Sequence, residues 1–348
     1  MKSKFNYTTL ADIAKRLNLS KVSVSKALRN HPDIAEQTKL RVKKVATEMG
    51  YTSNFYARNL SSNKSNTIGL IVPKIAHSFF AEVIEAIYDV ANDHDYDVIL
   101  AVSREDEELE QNNIFRLLSM RVDGLLISVS QHIEDVSIFK TIKKKKIPLV
   151  FFDRTIEGLP FSSVTVNDRQ GAYDATEYAI KAGYRRIAHF AGFRNTNIGA
   201  NRLSGYLEAL RAYDIPVRRE WILVGGYDEA HGSHGLKTLV ETRNLPEMIF
   251  AASFPVALGI YDAASETGLR IPDDIDVICF GDSPVNKYLR PSLTCVDQPV
   301  RALGTKAMEL LIEEIEYPET SGGKHLVIET PIKIGETCRS KFNSSDSR

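Results

Sequence analysis

Eight short apolar runs dominate the chain from Thr67 onward: 68–73 (IGLIVP), 96–102 (YDVILAV), 123–129 (DGLLISV), 147–153 (IPLVFFD), 185–192 (RRIAHFAG), 221–226 (WILVGG), 247–252 (EMIFAA) and 276–282 (DVICFGD). Each is apolar at consecutive positions, and amphipathic stretches of helical length separate them. A strand that is apolar on both sides must be covered on both sides, which a parallel sheet between two layers of helices achieves. A chain of 348 residues exceeds what one hydrophobic core usually supports. The pattern therefore predicts two doubly wound lobes.

The net charge of -1 conceals a sharp asymmetry. Residues 1–64 carry thirteen Lys and Arg against four acids, a charge of +9, which leaves -10 for the remainder. A cationic module joined to an acidic body points to a polyanionic partner for the first and none for the second. The N-terminus has no continuous apolar core of a signal peptide, and no stretch approaches the ~18 apolar residues of a membrane span. Cys279, Cys295 and Cys338 stand far apart in the sequence with neither CxxC nor histidine spacing. These features predict a cytoplasmic chain with no membrane partner, no metal and no cofactor.

Within the basic segment, Thr9 and Asp12 have the spacing of a capping box, followed by Leu10, Ile13, Ala14 and Leu17 on one helical face. Asn18-Leu19 makes a tight turn, Ser20 caps a second helix, and Val24, Ala27 and Leu28 face inward. The opposite face carries Val22, Ser25, Lys26 and Arg29, with Lys21 beside them in the first turn. A third helix from about Ala35 buries Val42, Val45, Ala46 and Met49 and stops at Gly50. A polar, cationic face opposite a core face suits a helix lying in a DNA major groove, although any solvated basic helix shares it.

The run LADIAKRLNLSKVSVSKALRN, together with TKLRVKKVATEMGYTSNFYARNL, resembles the headpiece of the lactose-repressor/galactose-repressor (LacI/GalR) family. FFAEVIEAI, RVDGLLI, FFDR, GYRRIAHFAG, NRLSGYLEAL, RPSLTCVDQP and RALGTKAMELL extend the resemblance along nearly the whole chain. It implies an all-α helix-turn-helix headpiece at 1–53 and a hinge helix with linker at 54–65. It also implies a periplasmic-binding-protein-like α/β body, with one lobe at 66–166 with 298–324 and another at 167–297 with 325–340. Crossings between lobes are expected near 163–167, 295–299 and 324, and 341–348 reads as a polar tail without a heptad repeat.

By the same resemblance Lys21, Val22 and Lys26 face base edges, Ser20, Ser23 and Ser25 grip phosphates, and Thr9 and Arg29 complete the headpiece contacts. Lys can donate to guanine O6 or N7, and Val22 offers only an apolar contact. Asn54, Ala57 and Arg58 belong to the implied hinge, from which Leu60 would wedge into the minor groove. The implied partners are double-stranded operator DNA, a second copy of the chain as a homodimer, and a small-molecule effector, a sugar or related metabolite, in the cleft. The implied role is transcription regulation, as a repressor.

Carried over by position, the effector site comprises Phe79, Phe80, Ser128, Asp153, Arg202 and Gln298, with Arg202 at a loop-to-helix junction. Taken singly, Phe79 and Phe80 fit a core as well as a pocket, and Asp153 fits a turn. The chain departs from the family pattern at Ser253-Phe254, where Asn-Asp is usual, and at Gly281, where an aspartate usually precedes Asp282. Those three positions join the effector set and disfavour a simple polyol relative to a larger or flatter ligand.

Other readings remain in view. No GxGxxG, P-loop or GxSxG motif supports an enzyme, and Gly225-Gly226 is isolated. His231 and His234 read as a solvated pair without a third ligand, and Lys143 to Lys146 as an exposed helix end. A periplasmic solute receptor would share the body but not the basic headpiece. Control by a protein partner in place of a metabolite is the alternative that keeps DNA binding.

Overall fold

The computed structural model describes residues 8–51, 64–320 and 323–341. The chain divides into two compact units, 1–65 and 66–348. In the first unit, α1 (Leu10–Leu17) begins with a complete capping box: Thr9 N–H donates to Asp12 Oδ2 at 2.8 Å, and Asp12 N–H returns to Thr9 Oγ1 at 3.3 Å. The helix closes on Asn18 in the left-handed region (φ 52°), with Leu19 N–H reaching back to the Ala14 carbonyl. Ser20 caps α2 (Lys21–Leu28) by accepting from Ser23 N–H at 3.0 Å, and Asn30 ends it in the same left-handed way. After α3 (Glu36–Glu48), Gly50 (φ 60°) lets Tyr51 N–H bond to the Ala46 carbonyl. Ile13, Ala14, Val24, Ala27, Val42 and Ala46 form the buried core of this small unit.

The second unit contains two six-stranded sheets. The first has β1 (Thr67–Val72), β2 (Asp97–Val102), β3 (Gly124–Ile127), β4 (Leu149–Phe152), β5 (Ser162–Val166) and β11 (His325–Ile328), in the order β2-β1-β3-β4-β5-β11 and wholly parallel. The second has β6 (Ile187–Ala191), β7 (Ile222–Val224), β8 (Met248–Ala251), β9 (Asp276–Phe280), β10 (Thr294–Val296) and β12 (Ile332–Lys333), in the order β7-β6-β8-β9-β10-β12. Only β12 within it runs antiparallel, against β10.

Both faces of each sheet are apolar, as the continuous runs demand. Along β1, Ile68, Leu70 and Val72 pack under helices Ser78–Asp93 and Val300–Glu316, while Ile71 packs under Glu107–Ser119 and Ser137–Lys144. In the second lobe, Ile278 and Phe280 of β9 meet helices Asp168–Lys181 and Asn197–Ala212, and Val277 and Cys279 meet Glu229–Glu241 and Phe254–Thr267.

The chain passes between the sheets at 167, after β5, at 297–299, after β10, and at 329–331. The last corrects the expectation of a crossing at 324. Residues 325–328 pair with β5 (His325↔Ser163 through Ile328↔Val166), so they belong to the first lobe, and the chain joins the second only past Ile328. Strands β5, β10, β11 and β12 lack the long apolar run of the others: SSVTV is half polar, TCV is three residues long, HLVI is a solvent-facing edge, and β12 is two residues long. Cys279 and Cys295, sixteen residues apart, are register partners on β9 and β10, with Sγ atoms 3.2 Å apart. His231 likewise departs from the expected solvated pair. His234 is exposed, but the His231 ring is half-buried and packs against Gly225.

Helices Glu229–Glu241 and Phe254–Thr267 touch backbone to backbone. A Cβ on Gly259 would lie 1.9 Å from the Glu229 carbonyl oxygen, and one on Gly232 would lie 2.0 Å from that of Val256. Neither oxygen can swing away as a side chain would. Gly259→Ala is expected to destabilise the body by about 1–3 kcal/mol, read as a lower urea midpoint at unchanged slope; an unchanged midpoint would refute the close contact.

Candidate functional sites

The outward face of α2 carries the DNA-facing set inferred from sequence. Lys21 and Arg29 are exposed, Val22 is 66% exposed despite being aliphatic, and Ser23, Ser25 and Lys26 are partly exposed. The hydroxyls of Thr9 and Ser20 serve as helix caps, and Ser20 Oγ also lies 2.8 Å from Ser23 Oγ. Lys26 Nζ sits 2.8 Å from Asp33 Oδ2, and the Arg29 Nε–H reaches the Ser25 carbonyl. Asn54, Ala57, Arg58 and Leu60 lie outside the described residues.

A second candidate site lies between the lobes, at the carboxyl ends of the strands, where a cavity of about 80 Å³ opens. Eight of the nine effector positions line it: Phe79, Phe80, Asp153, Arg202, Ser253, Phe254, Gly281 and Gln298. Ser128 does not. It is fully buried one layer behind, donating from Oγ to Asp153 Oδ2 at 3.3 Å, so its place is to hold Asp153.

Each lining residue is set by local structure. Phe79 and Phe80 fall in the first turn of helix Ser78–Asp93, edge to face at 5.1 Å, and belong to the first lobe's core as well as to the cavity wall. Asp153 leaves β4 in the left-handed region (φ 59°), which turns its carboxylate across the sheet end. Burial pushes that carboxyl up from its ordinary range, against the pull of Arg154 and Arg202. Ser253 caps helix Phe254–Thr267 and donates to the Tyr227 carbonyl at 3.0 Å, so its hydroxyl is committed. Gly281 has φ 81°, and a Cβ there would meet Gln298 Oε1 at 2.8 Å.

Arg202 departs from its expected placement. It stands inside helix Asn197–Ala212 rather than at a junction, 3% exposed, with its guanidinium 3.8 Å over the Phe280 ring. Nε and Nη2 hold Asp168 Oδ1 at 2.8 and 2.7 Å, and Nη1 donates to the Ala252 carbonyl at 2.6 Å. Three of its five N–H groups are thus spent within the protein, and a ligand meets at most the other two. Burial pushes the Asp168 carboxyl up to about 6, with Arg202 opposing.

Sequence reasoning missed His77, Arg154, Ile198, Tyr227, Phe280 and Asp282 in the lining. Arg154 is the most consequential of these. Its Nη1 is held by Glu105 at 2.8 and 2.9 Å, and its guanidinium lies 5.2 Å from the Tyr227 ring of the other lobe. The only sequence signal was its place directly after Asp153 at a strand end. Polar contacts also join the lobes: Asn197 Nδ2 donates to the Asp153 carbonyl at 3.1 Å, and Asn195 Nδ2 to that of Gln131 at 2.8 Å.

Comparison with known proteins decides the family. Residues 9–54 match the model of bacterial regulatory proteins of the lacI family, and residues 65–336 match that of periplasmic binding proteins and the sugar binding domain of the LacI family. The chain belongs to the LacI family. It is 35% identical over 322 residues to the probable HTH-type transcriptional repressor ExuR of Bacillus subtilis, covering 91% of this chain and 95% of that one. Among solved structures, the cellobiose complex of the regulator CelR is 26% identical with a TM-score of 0.72, covering 95% of this chain and 99% of that one. The lac repressor dimer bound to operator has the same fold, at a TM-score of 0.83 and 22% identity over 96% of this chain and all of that one. This LacI-family chain is a DNA-binding transcriptional regulator. Among the described residues no helix is long and apolar enough to cross a membrane, and no cluster of three potential ligands could hold a metal ion.

Beside the cleft of this LacI-family body, Glu110 is 1% exposed and accepts from both N–H and Oγ–H of Ser130 at 2.7 Å. Burial pushes its carboxyl up to about 7, the two Ser130 bonds opposing. A raised carboxyl stabilises the fold below its ordinary value of 4.5, and that contribution is lost as pH rises through 7. Glu110→Gln keeps an accepting oxygen and removes the titration. From pH 4.5 to 8 it is expected to lose roughly 3 kcal/mol less stability than the parent chain in urea unfolding; equal slopes would show that burial leaves the Glu110 carboxyl unshifted.

Proposed function

We propose that this regulator is a repressor that acts in the cytoplasm, binding a pseudo-palindromic operator as a homodimer and releasing or gripping it according to a small molecule in the cleft. The observation that carries the effector reading is the cleft's composition. Buried Asp153 and Arg202 face the aromatic walls of Phe79, Phe80 and Phe254, an arrangement suited to a ring that carries hydroxyl groups. The cellobiose complex of CelR supports a carbohydrate or related metabolite as the class. In the headpiece, Lys21, Val22 and Lys26 take the base edges, and Ser20, Ser23, Ser25, Thr9 and Arg29 take the backbone. Asn54, Ala57, Arg58 and Leu60 form the hinge that enters the minor groove. Twofold symmetry of the dimer dictates the symmetry of the DNA site.

A second reading, control by a protein partner, draws on the same cleft. Ser253 is spent as a cap, Gln298 fills the space over Gly281, and the cavity is small. The two readings part in one experiment.

Thermal unfolding of the full chain is followed against a panel of sugars, sugar acids, sugar phosphates and nucleosides. An effector at ~100 times its Kd adds about 2.7 kcal/mol of stability and shifts DNA affinity by a factor that DNA returns in kind. Asp153→Asn is expected to abolish the shift while leaving DNA binding intact. It is a cleaner variant than Arg202→Ala, which would strand the buried Asp168 carboxylate. A panel without a single hit favours the protein partner.

A further inference from the structure

Resting on the reading that Lys26 faces base edges, we infer that Asp33 is a specificity-determining residue that holds the Lys26 ammonium away from DNA phosphates. Lys26 Nζ lies 2.8 Å from Asp33 Oδ2, seven residues along the chain and outside α2. The backbone that carries the carboxylate is placed by the fold. Asn30 turns the chain left-handed at φ 56°, His31 N–H bonds back to the Lys26 carbonyl at 3.0 Å, and Asp33 N–H donates to His31 Nδ1 at 3.3 Å. Ile34 then anchors the turn in the headpiece core. The Lys26 ammonium lowers the Asp33 pKa, so the carboxylate is charged at neutral pH.

The position of this acid opposes simple affinity. Residues 1–64 carry +9, and a module that needed only to bind a polyanion would gain from Asn at 33. Asp33 is 59% exposed at its side chain and Lys26 35%, and exposed pairs contribute little to folding. Of the four acids in the headpiece, Asp12 is used as a cap and Glu36 pairs with Lys39. Asp33 instead pairs with Lys26 on the outward face of α2.

The ammonium has three N–H donors. It can keep one on Asp33 and offer another to guanine O6 or N7, which carry no net charge. A phosphate is a full anion, and an ammonium shared between it and Asp33 brings two like charges close together, which costs energy that a neutral base acceptor does not. Asp33 therefore penalises the sequence-independent contact and spares the base contact.

The test uses the full chain and two duplexes: one selected by the parent protein from a randomised pool, and a scramble of it. Asp33→Asn is expected to tighten the scramble about tenfold and the selected duplex no more than about twofold, with a steeper salt slope on the scramble. Lys26→Ala is expected to reduce discrimination between the duplexes, and Asp33→Asn to change it no further in that background. Thermal unfolding of Asp33→Asn should match the parent. Equal tightening on both duplexes, or the same loss of discrimination with Lys26 already removed, overturns the inference and leaves the role of Lys26 standing. Undiminished discrimination by Lys26→Ala overturns both.

Discussion

Parallel strands buried on both faces are the constraint on which the body depends. A strand joined to a parallel neighbour needs a connection that carries the chain back across the sheet, most often a helix here, so the carboxyl ends of the parallel strands in a sheet point the same way. Asp153 follows β4, Ser253 follows β8, Gly281 follows β9, Gln298 follows β10, and the turn into Phe79 follows β1. The cleft residues are scattered over more than two hundred positions of sequence, yet these strand ends gather them, with Arg202 reaching in from helix Asn197–Ala212. Three crossings between the sheets keep those ends opposed.

Charge inside the cleft is handled by pairing. Arg202 with Asp168, Arg154 with Glu105 and Lys333 with Asp282 each place a cation on a carboxylate close to the cavity. For a buried pair the attraction offsets part of the hydration lost on burial, and removing one partner leaves the other with the whole of that cost. Their value here is positional: they hold guanidinium groups against Phe280 and Tyr227, so the cavity walls are set before any ligand arrives. Between lobes, Asn195 and Asn197 make polar contacts beside the Arg154–Tyr227 stack and the His132–Phe193 ring pair.

The headpiece solves a different problem. Its six buried core side chains are too few to tolerate loose helix ends, and each helix is closed by backbone bonds through a left-handed residue at 18, 30 or 50. Those closures also fix the loop that carries Asp33 and the pitch of the face that carries Lys21, Val22 and Lys26. Local capping thus becomes a property of recognition.

Periodicity, capping residues and charge distribution, all local in the chain, made the helix-turn-helix unit, the central strands of both lobes and the basic-acidic division legible in the sequence. Position-by-position resemblance then named eight residues of the cleft lining. Tertiary structure alone decided β5, β10, β11 and β12; the last two are held by their neighbours' hydrogen bonds and not by their own hydrophobicity. It alone moved the last crossing beyond residue 328. It alone brought Arg154 to Glu105 and Tyr227, committed Arg202 to Asp168 and Lys26 to Asp33, and set Ser128 behind Asp153. A charged side chain's partner is chosen by proximity in space, and nothing in the residues flanking Arg202 encodes an aspartate thirty-four positions away.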